Sequence, residues 1–503
     1  MYSGMKSRYD IVIIGAGIGG LFTADILSRE GYSVCVLEKN SKWGGSIQSF
    51  ARDKTLFNTG LNYTESLGDG EVLNRYFRYF GILDKLKLKQ LDTDAFNKIT
   101  FDNDGNDYPM AQGHDNFVES LSAFFPESKT GLKKYISSLE TICNSFPLYT
   151  LDPAGNRESY TKSLSSSAYD FLKSSFPGNG KLQSILSGMN PLYSAVADKT
   201  PLYIFALINY SFITSAWRLI DGGSQLASAV VSVIKENGGE VYLSKEVVAV
   251  GGDNRQAGYV ELSDGSRIHA EKIISNVHPV TTLKMVDKQL SKKVYGYRIN
   301  SLENSTGMFT VYISLKDKSF PYLNFNHHHY SGLNNWTIDY DENRWPEHYY
   351  LYTPATSKSD RWADGLIVMT YMKYREVEKW ENTTVGNRGA EYLDFKQRKA
   401  EKLIDKVEEK FPEIRKSIKS YYTSTPLTYR DYTGTYKGSS YGILKDYHNP
   451  YVTILTPKTR IKNLYFTGQN LNMHGILGVA IGSVTTCSEF LGLDYLINKI
   501  KNA

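Results

Sequence analysis

Gly15-Ala16-Gly17-Ile18-Gly19-Gly20 and Glu38 are the residues of this 503-residue chain whose types and spacing describe a chemistry most directly. In a GxGxxG run the first glycine permits a tight turn, the second lets backbone approach a pyrophosphate, and the third lets a helix pack close to a sheet. The free amides and positive end of that helix then face the phosphate charge. An acidic residue about twenty positions further on accepts hydrogen bonds from ribose hydroxyls, and Glu38 stands there. The competing reading is a glycine-rich turn with no ligand, and the surrounding elements decide against it. Tyr9 to Ile14 (YDIVII) reads as a buried parallel strand. A helix runs from about Ile18 to Glu30 and ends at Gly31, and a second buried strand, Ser33 to Leu37, stops at Glu38. Strand, glycine turn, helix and strand make one βαβ unit that binds a dinucleotide.

That unit alone does not separate FAD from NAD. Three further features favour FAD. Trp43-Gly44-Gly45 brings a second glycine pair close behind Glu38, where backbone can pass near a pyrophosphate. The tail segment Tyr465-Phe466-Thr467-Gly468-Gln469 sets a glycine directly after a buried strand. Gly475-Ile476-Leu477-Gly478-Val479 opens a helix whose N-terminus can face negative charge developing on a flavin ring. The chain carries no second GxGxxG in a strand-then-helix setting. A flavin held here is therefore expected to exchange electrons with a quinone, oxygen or a soluble carrier, or with a transiently docked nicotinamide.

The elements that must position these residues come in three pieces. After the N-terminal unit, Gly222-Gly223-Ser224 precedes a helix with Leu226, Val230, Val233 and Ile234 on one face, Ser224 its expected N-cap and Gly238-Gly239 its end. Strands follow at Glu240 to Leu243, Val247 to Val250 and Lys272 to Ser275, with a hairpin at Asp264-Gly265. The tail gives a strand at Leu464 to Thr467 and a helix from about Val479. The intervening stretches hold long amphipathic helical patterns, such as Ala390 to Glu408, and aromatic-rich strands, such as Met308 to Leu315. The expected fold is α/β, a Rossmann-type FAD-binding domain (1–80, 216–285 and 456–503) with a mixed α+β substrate domain inserted in two pieces (81–215 and 286–455).

Bulk composition bounds the rest. Hydrophobic residues at 41% and charged residues at 22% are those of a globular protein. A net charge of +5 over this length, with no basic block, argues against nucleic acid. Cys35, Cys143 and Cys487 lie far apart with no CxxC pair, which excludes a disulfide framework and a thiolate zinc site and fits a reducing compartment. Met1 to Arg8 form a short charged lead with no signal peptide, and the apolar stretch Gly475 to Val484 is about half a bilayer span. A cytoplasmic location follows as the expectation. His327-His328-His329 suggests a metal at first sight. Adjacent histidines on a strand point to alternating faces, however, and no carboxylate stands at ligand spacing, so a surface or pocket-lining role is expected. Glu347-His348 lacks the second histidine of a zincin.

Six segments together resemble the phytoene desaturase, carotenoid isomerase and retinol saturase group of FAD-dependent oxidoreductases, within the wider amine-oxidase-like superfamily. They are VIIGAGIGGL (Val12 to Leu21), LEKNSKWGGS (Leu37 to Ser46), LFNTGLNY (Leu56 to Tyr63), DGGSQLASAV (Asp221 to Val230), IISNVHP (Ile273 to Pro279) and LYFTGQNLNMHGILGV (Leu464 to Val479). They recur in family order along nearly the whole chain, with retinol saturase nearest and the substrate portion least alike. The resemblance implies that Gly15, Ala16, Gly17, Ile18, Gly19 and Gly20 hold the pyrophosphate and Glu38 the adenosine ribose. It further implies that Lys39, Gly44, Gly45 and Ser46 line the diphosphate and ribityl path, that Val247 meets adenine, that Gly468 and Gln469 sit by the ribityl phosphate, and that Gly478 and Val479 lie near the flavin pyrimidine. Ser46 departs from the family's usual arginine or lysine, and Asn58 and Asn62 stand where relatives often show aspartate and histidine. His474 and the segment Tyr429, Arg430, Tyr432 and Tyr441 are candidates for the catalytic or substrate face; packing is the alternative for each. The implied activity is hydride transfer between flavin and a carbon of an apolar polyene or isoprenoid-like substrate, with desaturation, saturation and isomerisation all open. Such a substrate would be collected from lipid, which implies peripheral contact with the inner face of a membrane. Two other readings are an amine-oxidase-like enzyme acting on C–N bonds and a non-catalytic flavin-binding scaffold.

Overall fold

The run Ile11 to Ile14 carries no polar side chain, so it is stable only with both faces covered. In the computed structural model, which describes residues 4–503, it forms β1 (Arg8–Ile14), with Ile11, Val12 and Ile13 fully buried. Met1, Tyr2 and Ser3 of the charged lead lie outside the described residues. Helix α1 (Ile18–Arg29) returns the chain to β2 (Val34–Leu37), which pairs in parallel with β1, Ile11 opposite Val34 and Ile14 opposite Leu37. Helix α2 (Ser224–Glu236) leads into β3 (Glu240–Tyr242), which adds in parallel to β2. A meander of β4 (Val247–Asp253), β5 (Gln256–Leu262) and β6 (Arg267–Ser275) brings β6 alongside β1. Strand β6 is long enough to pair with β5 at its start and, at its end, with β7 (Leu464–Phe466). The order is β3-β2-β1-β6-β5-β4, with β7 on β6. Strands β1, β2, β6 and β7 therefore end together, at Ile14, Leu37, Ser275 and Phe466, and the loops that follow them share one rim.

Near this rim, α3 (Pro426–Thr433) is closed at its start by a Thr425–Thr428 capping box, and α4 (Gly475–Leu491) lies along α1. Close packing of α4 on α1 follows from small residues, Ser483 Oγ donating to the Gly19 carbonyl at 3.1 Å; Thr23 of α1 also meets Thr467, just after β7, their hydroxyls 2.8 Å apart. Two expectations are corrected here. The cap of α2 is Gly223, and Ser224 is its first helical residue; the Ser224 hydroxyl accepts the Ser49 amide at 2.7 Å, a partner distant in sequence. The tail helix begins at Gly475 rather than near Val479, because glycines at 475 and 478 lower helix propensity yet are needed for close approach: a Cβ on Gly478 would lie 2.8 Å from the Met473 backbone.

A second seven-stranded sheet takes its strands from residues 97–110, 307–372 and 418–424. It is antiparallel except where Asn326–Tyr330 pairs in parallel with Asn97–Phe101. Period-two alternation divides its faces. Val311, Ile313, Leu351 and Val368 pack towards the helix Ala390–Glu408, while Tyr312, Tyr350, Tyr352 and Ile367 face the helix Leu202–Thr214. Several of the 38 tyrosines of the chain thus cluster on one sheet face.

The histidine triple lies on this sheet, and its expected surface or pocket-lining role is overturned. His327 and His328 are 1% and 0% exposed. The rings of His327 and His329 both bond Thr100, His329 also bonds Asp102 at 2.8 Å, and His328 bonds the Gly188 carbonyl at 2.9 Å. Asp102 stands just after the strand Asn97–Phe101, 227 residues before His329, so local spacing could not reveal it. Among the described residues no group of three or more His, Cys, Asp or Glu side chains is placed to hold a metal ion. Cys35, Cys143 and Cys487 are free and buried. No helix of the described residues is long and apolar enough to cross a membrane.

Candidate active site

The glycine turn sits where β1 ends, and its geometry is set by crowding. Gly15 has φ +95°, a value only glycine adopts readily. A Cβ on Gly17 would lie 2.7 Å from Asn276 Nδ2, one on Gly19 would lie 2.8 Å from the Gly468 Cα, and one on Gly20 would lie 2.2 Å from the Gly15 carbonyl oxygen. Gly44 and Gly45, both with positive φ, lie against the same turn, Gly44 N–H donating to the Ala16 carbonyl at 2.8 Å. Gly17 caps α1 without a side-chain acceptor and no acidic residue stands in the first turn, so the helix amides are left for an anion. Glu38 is 7% exposed and accepts the Ala16 amide at 2.8 Å and the Asn40 amide at 2.9 Å, which holds it at the mouth of the turn. A cradle shaped by glycine and an unpaired helix N-terminus fit a dinucleotide.

This turn opens into a cavity of about 390 Å³. Of the sequence-predicted cofactor residues, Gly15, Gly17, Ile18, Gly19, Glu38, Lys39, Gly44, Gly45, Ser46, Val247, Gln469 and Val479 line it. Ala16, Gly20, Gly468 and Gly478 do not line it: Gly20 and Gly478 allow close backbone packing, Gly468 leaves room for the Asn276 side chain, and Ala16 bonds Glu38 and Gly44 through its backbone. The far end is lined by Tyr63, Phe212, Tyr350, Tyr352, Met308 and Met369, an apolar chamber with aromatic walls. Burial pushes the phenols of Tyr63, Tyr350 and Tyr352 well up, so they remain neutral.

His474, Tyr429, Tyr432 and Tyr441 also line the cavity. His474 is the N-cap of α4 and makes an edge contact with Tyr441, ring centroids 4.5 Å apart. Burial, then the nearby charge of Lys445, pushes its imidazole down to about 3, so it is neutral at ordinary pH. The Tyr429 hydroxyl is 2.9 Å from that of Thr310. Arg430 does not face the cavity. Its guanidinium bonds Asp431 and the Glu381 carbonyl at 2.8 Å each, because successive residues of α3 point to different sides of that helix.

Three residues missed by sequence reasoning shape this site. Asn276 follows β6 directly, its amide donating to the Ile14 carbonyl at 3.0 Å and its side chain reaching between Gly17, Gly19 and Gly468. Its place depends on β6 lying beside β1, which no local pattern states. Glu65 is a buried carboxyl in the cavity wall. Lys445 is buried and donates to the carbonyls of Thr453, Asn470 and Leu471 at 2.9, 2.9 and 2.8 Å. Burial pushes its ammonium down to about 7. Those bonds tie down the segment entering α4. Lys445→Met is expected to take a donor from three buried carbonyls, of which Leu471 keeps the Leu455 amide, and to cost about 2–4 kcal/mol. Faster amide exchange across residues 468–476 and a lower melting temperature would register it; unchanged exchange there would refute the tie.

Residues 13–80 match the family model described as an NAD(P)-binding Rossmann-like domain. The chain is 25% identical to an all-trans-retinol 13,14-reductase of Macaca fascicularis, over 97% of this chain and 86% of that one. It is 24% identical to a chloroplastic prolycopene isomerase of Daucus carota, over 98% and 81%. It is 23% identical to a 4,4'-diapophytoene desaturase of Methylomonas, over 87% and 86%. Among solved structures, an oxidoreductase from Methanosarcina mazei superposes with a TM-score of 0.63 at 16% identity, covering 96% of this chain and all of that one. A putrescine oxidase redesigned in its cofactor binding gives 0.60 at 14%, covering 96% and 99%. These two likenesses concern the fold alone. The chain is thus, along nearly its full length, a homologue of the all-trans-retinol 13,14-reductases, prolycopene isomerases and diapophytoene desaturases.

Proposed function

We propose that this oxidoreductase binds FAD and transfers hydride to or from a C–C bond of an apolar polyene or isoprenoid-like substrate. The observation that carries the reading is one continuous cavity joining the glycine turn to a chamber walled by tyrosine, phenylalanine and methionine. FAD, when bound, supplies a two-electron carrier whose ring N5 gives or takes hydride. Gly17 and the α1 amides would hold the pyrophosphate, Glu38 the ribose, and the first turn of α4 the pyrimidine edge. In this reading segments 1–80, 216–285 and 456–503 hold the cofactor, and 81–215 and 286–455 enclose the substrate. The aromatic chamber orients an extended apolar chain and keeps water from the reacting carbon. The external electron partner would be a quinone, oxygen or a nicotinamide, and a substrate insoluble in water would be drawn from a membrane surface.

Anaerobic incubation of the flavin-loaded protein with retinoids, carotenoids, simple lipids and amines, in both flavin redox states, tests this. A change of flavin absorbance with a matching polyene product is expected. Bleaching by amines alone would replace the reading with C–N oxidation. A flavin that no compound alters would favour a scaffold.

A further inference from the structure

Three carboxylates line the cavity, and two of them, Glu38 and Glu246, belong to the glycine-turn end. Glu65 is the third. It ends the two-residue strand Thr64–Glu65, held antiparallel to Ala216–Leu219 with Glu65 opposite Ala216. Its side chain is 8% exposed and meets the cavity among Leu61, Tyr63, Phe212 and Leu477. Oε2 accepts the Thr64 hydroxyl at 3.1 Å, and the carboxyl also takes the Leu477 amide in the first turn of α4. A Cβ on Gly475 would lie 4.0 Å from Oε1, so the carboxyl sits directly against the helix end assigned above to the pyrimidine edge.

Among the described residues no lysine or arginine faces Glu65; the titratable groups that do are the phenols of Tyr63 and Tyr149, both kept neutral by burial. Burial with no cation nearby raises the carboxyl above the usual range. The other titratable side chains of the chamber, the neutral His474 and the raised tyrosines, are poorly placed in pKa to give up a proton.

We infer that Glu65 is the catalytic proton donor and acceptor of this reaction, an assignment that rests on the polyene reading above. In the saturating direction the Glu65 O–H bond breaks and its proton goes to one carbon of a C=C bond. Hydride for the neighbouring carbon would come from bound reduced flavin as the two-electron reductant. The π bond is lost, two C–H bonds form, and the flavin ends oxidised. Glu65 is left as a carboxylate held by the Thr64 hydroxyl and Leu477 amide until solvent reprotonates it. In the desaturating direction the same carboxylate takes the proton from one carbon, the hydride of the neighbouring carbon would pass to oxidised flavin, and the C=C bond forms. A saturating rate is therefore held below the raised pKa of Glu65 and lost as pH rises through it.

The test uses flavin-loaded wild type, Glu65→Gln and Glu65→Asp, with the flavin reduced anaerobically and its reoxidation by a polyene followed against pH. Glu65→Gln is expected to keep its flavin content and melting temperature, to slow reoxidation by about 100- to 10,000-fold, and to lose the alkaline limb. Glu65→Asp is expected to recover part of the rate. Independently of turnover, wild type should show infrared carbonyl absorption of neutral carboxylic acids, one component of which is lost in Glu65→Gln while that of Asp25 remains. Reoxidation of Glu65→Gln at the wild-type rate, or a carbonyl band unchanged by that substitution, would overturn the assignment while leaving the polyene reading intact. A wild-type flavin that no polyene reoxidises when reduced, and none reduces when oxidised, would sink the polyene reading and this role with it.

Discussion

Gly20→Ala is expected to yield a protein that purifies without flavin and is less stable by about 2–3 kcal/mol before any loss of ligand is counted. The added Cβ would stand 2.2 Å from the Gly15 carbonyl oxygen, a backbone atom that no rotamer change can move aside. Relief requires either α1 to shift off β1 or the turn at Gly15 to open, and both spread the amides that face the anion. Losing the cofactor then removes the stabilisation that binding supplies, about 4 kcal/mol when free cofactor stands at a thousand times its Kd. Gly296→Ala is the matching control. Gly296 lies inside the helix Lys293–Asn300, and a Cβ there would meet nothing within 4 Å. That substitution should stabilise by about 0.5–1 kcal/mol, because glycine is the poorer helix former. Flavin-to-protein ratio and urea unfolding of both variants check the pair. A yellow Gly20→Ala protein with wild-type stability would show that the turn tolerates a side chain and would undo the fit argued for it.

Acidification from pH 6.5 to 5.5 is expected to lower the unfolding free energy by about 3 kcal/mol, a sizeable part of the roughly 5–15 kcal/mol by which folded chains are stable. His278 and His328 are pushed down to about 4, and His348 and His474 to about 3, by burial in every case. In the unfolded chain each returns to the ordinary histidine value near 6.5. Below that value the unfolded state binds protons that the folded state refuses, so each histidine costs about 1.4 kcal/mol per pH unit until its own folded pKa is reached. Asp25, raised to about 7, and Glu65, also raised, act in the opposite sense: they are protonated in the folded state where the unfolded chain is ionised. Asp25 offsets about one of the four histidines over this interval, and Glu65 acts in the same sense. The unfolding midpoint in urea should therefore drop steeply below pH 6.5, and should still climb from pH 7.5 to 8.5, where Lys445 is neutral in the folded state and charged in the unfolded chain. His348→Phe should flatten that drop by one histidine's share. A midpoint indifferent to pH between 6.5 and 5 would mean that these imidazoles are not held neutral.

The distance between sequence and structure differs from element to element. The unit β1–α1–β2 was legible because everything it needs lies within about 35 residues: a run of branched apolar side chains, three glycines whose spacing is a steric requirement, and an acid at the end of the next strand. The helix Ala390–Glu408 matched its periodicity to the residue for a similar reason, since one apolar stripe on a polar helix is a local pattern. By contrast, Ser224 looked like a cap and became the first residue of its helix, because Ser49, distant in sequence, offered its hydroxyl another partner. Arg430 and Tyr432 are near neighbours in sequence, yet one bonds Asp431 and the other lines the cavity.

The sequence by itself determined that a dinucleotide cradle exists, where it lies, and that its far neighbour is an aromatic-rich portion. Those features rest on backbone sterics and on periodicity, which act between residues close along the chain. Only the tertiary structure decided what completes the site. Asn276 enters the glycine turn because β6 pairs with β1, and Glu65 meets the first turn of α4 because strand Thr64–Glu65 is held opposite Ala216. The three histidines are buried because their strand lies inside a seven-stranded sheet, beside a threonine and an aspartate from far away. Each of those outcomes depends on strand order and long-range pairing, and burial of a polar group becomes affordable only when the partner that satisfies it arrives from elsewhere in the fold.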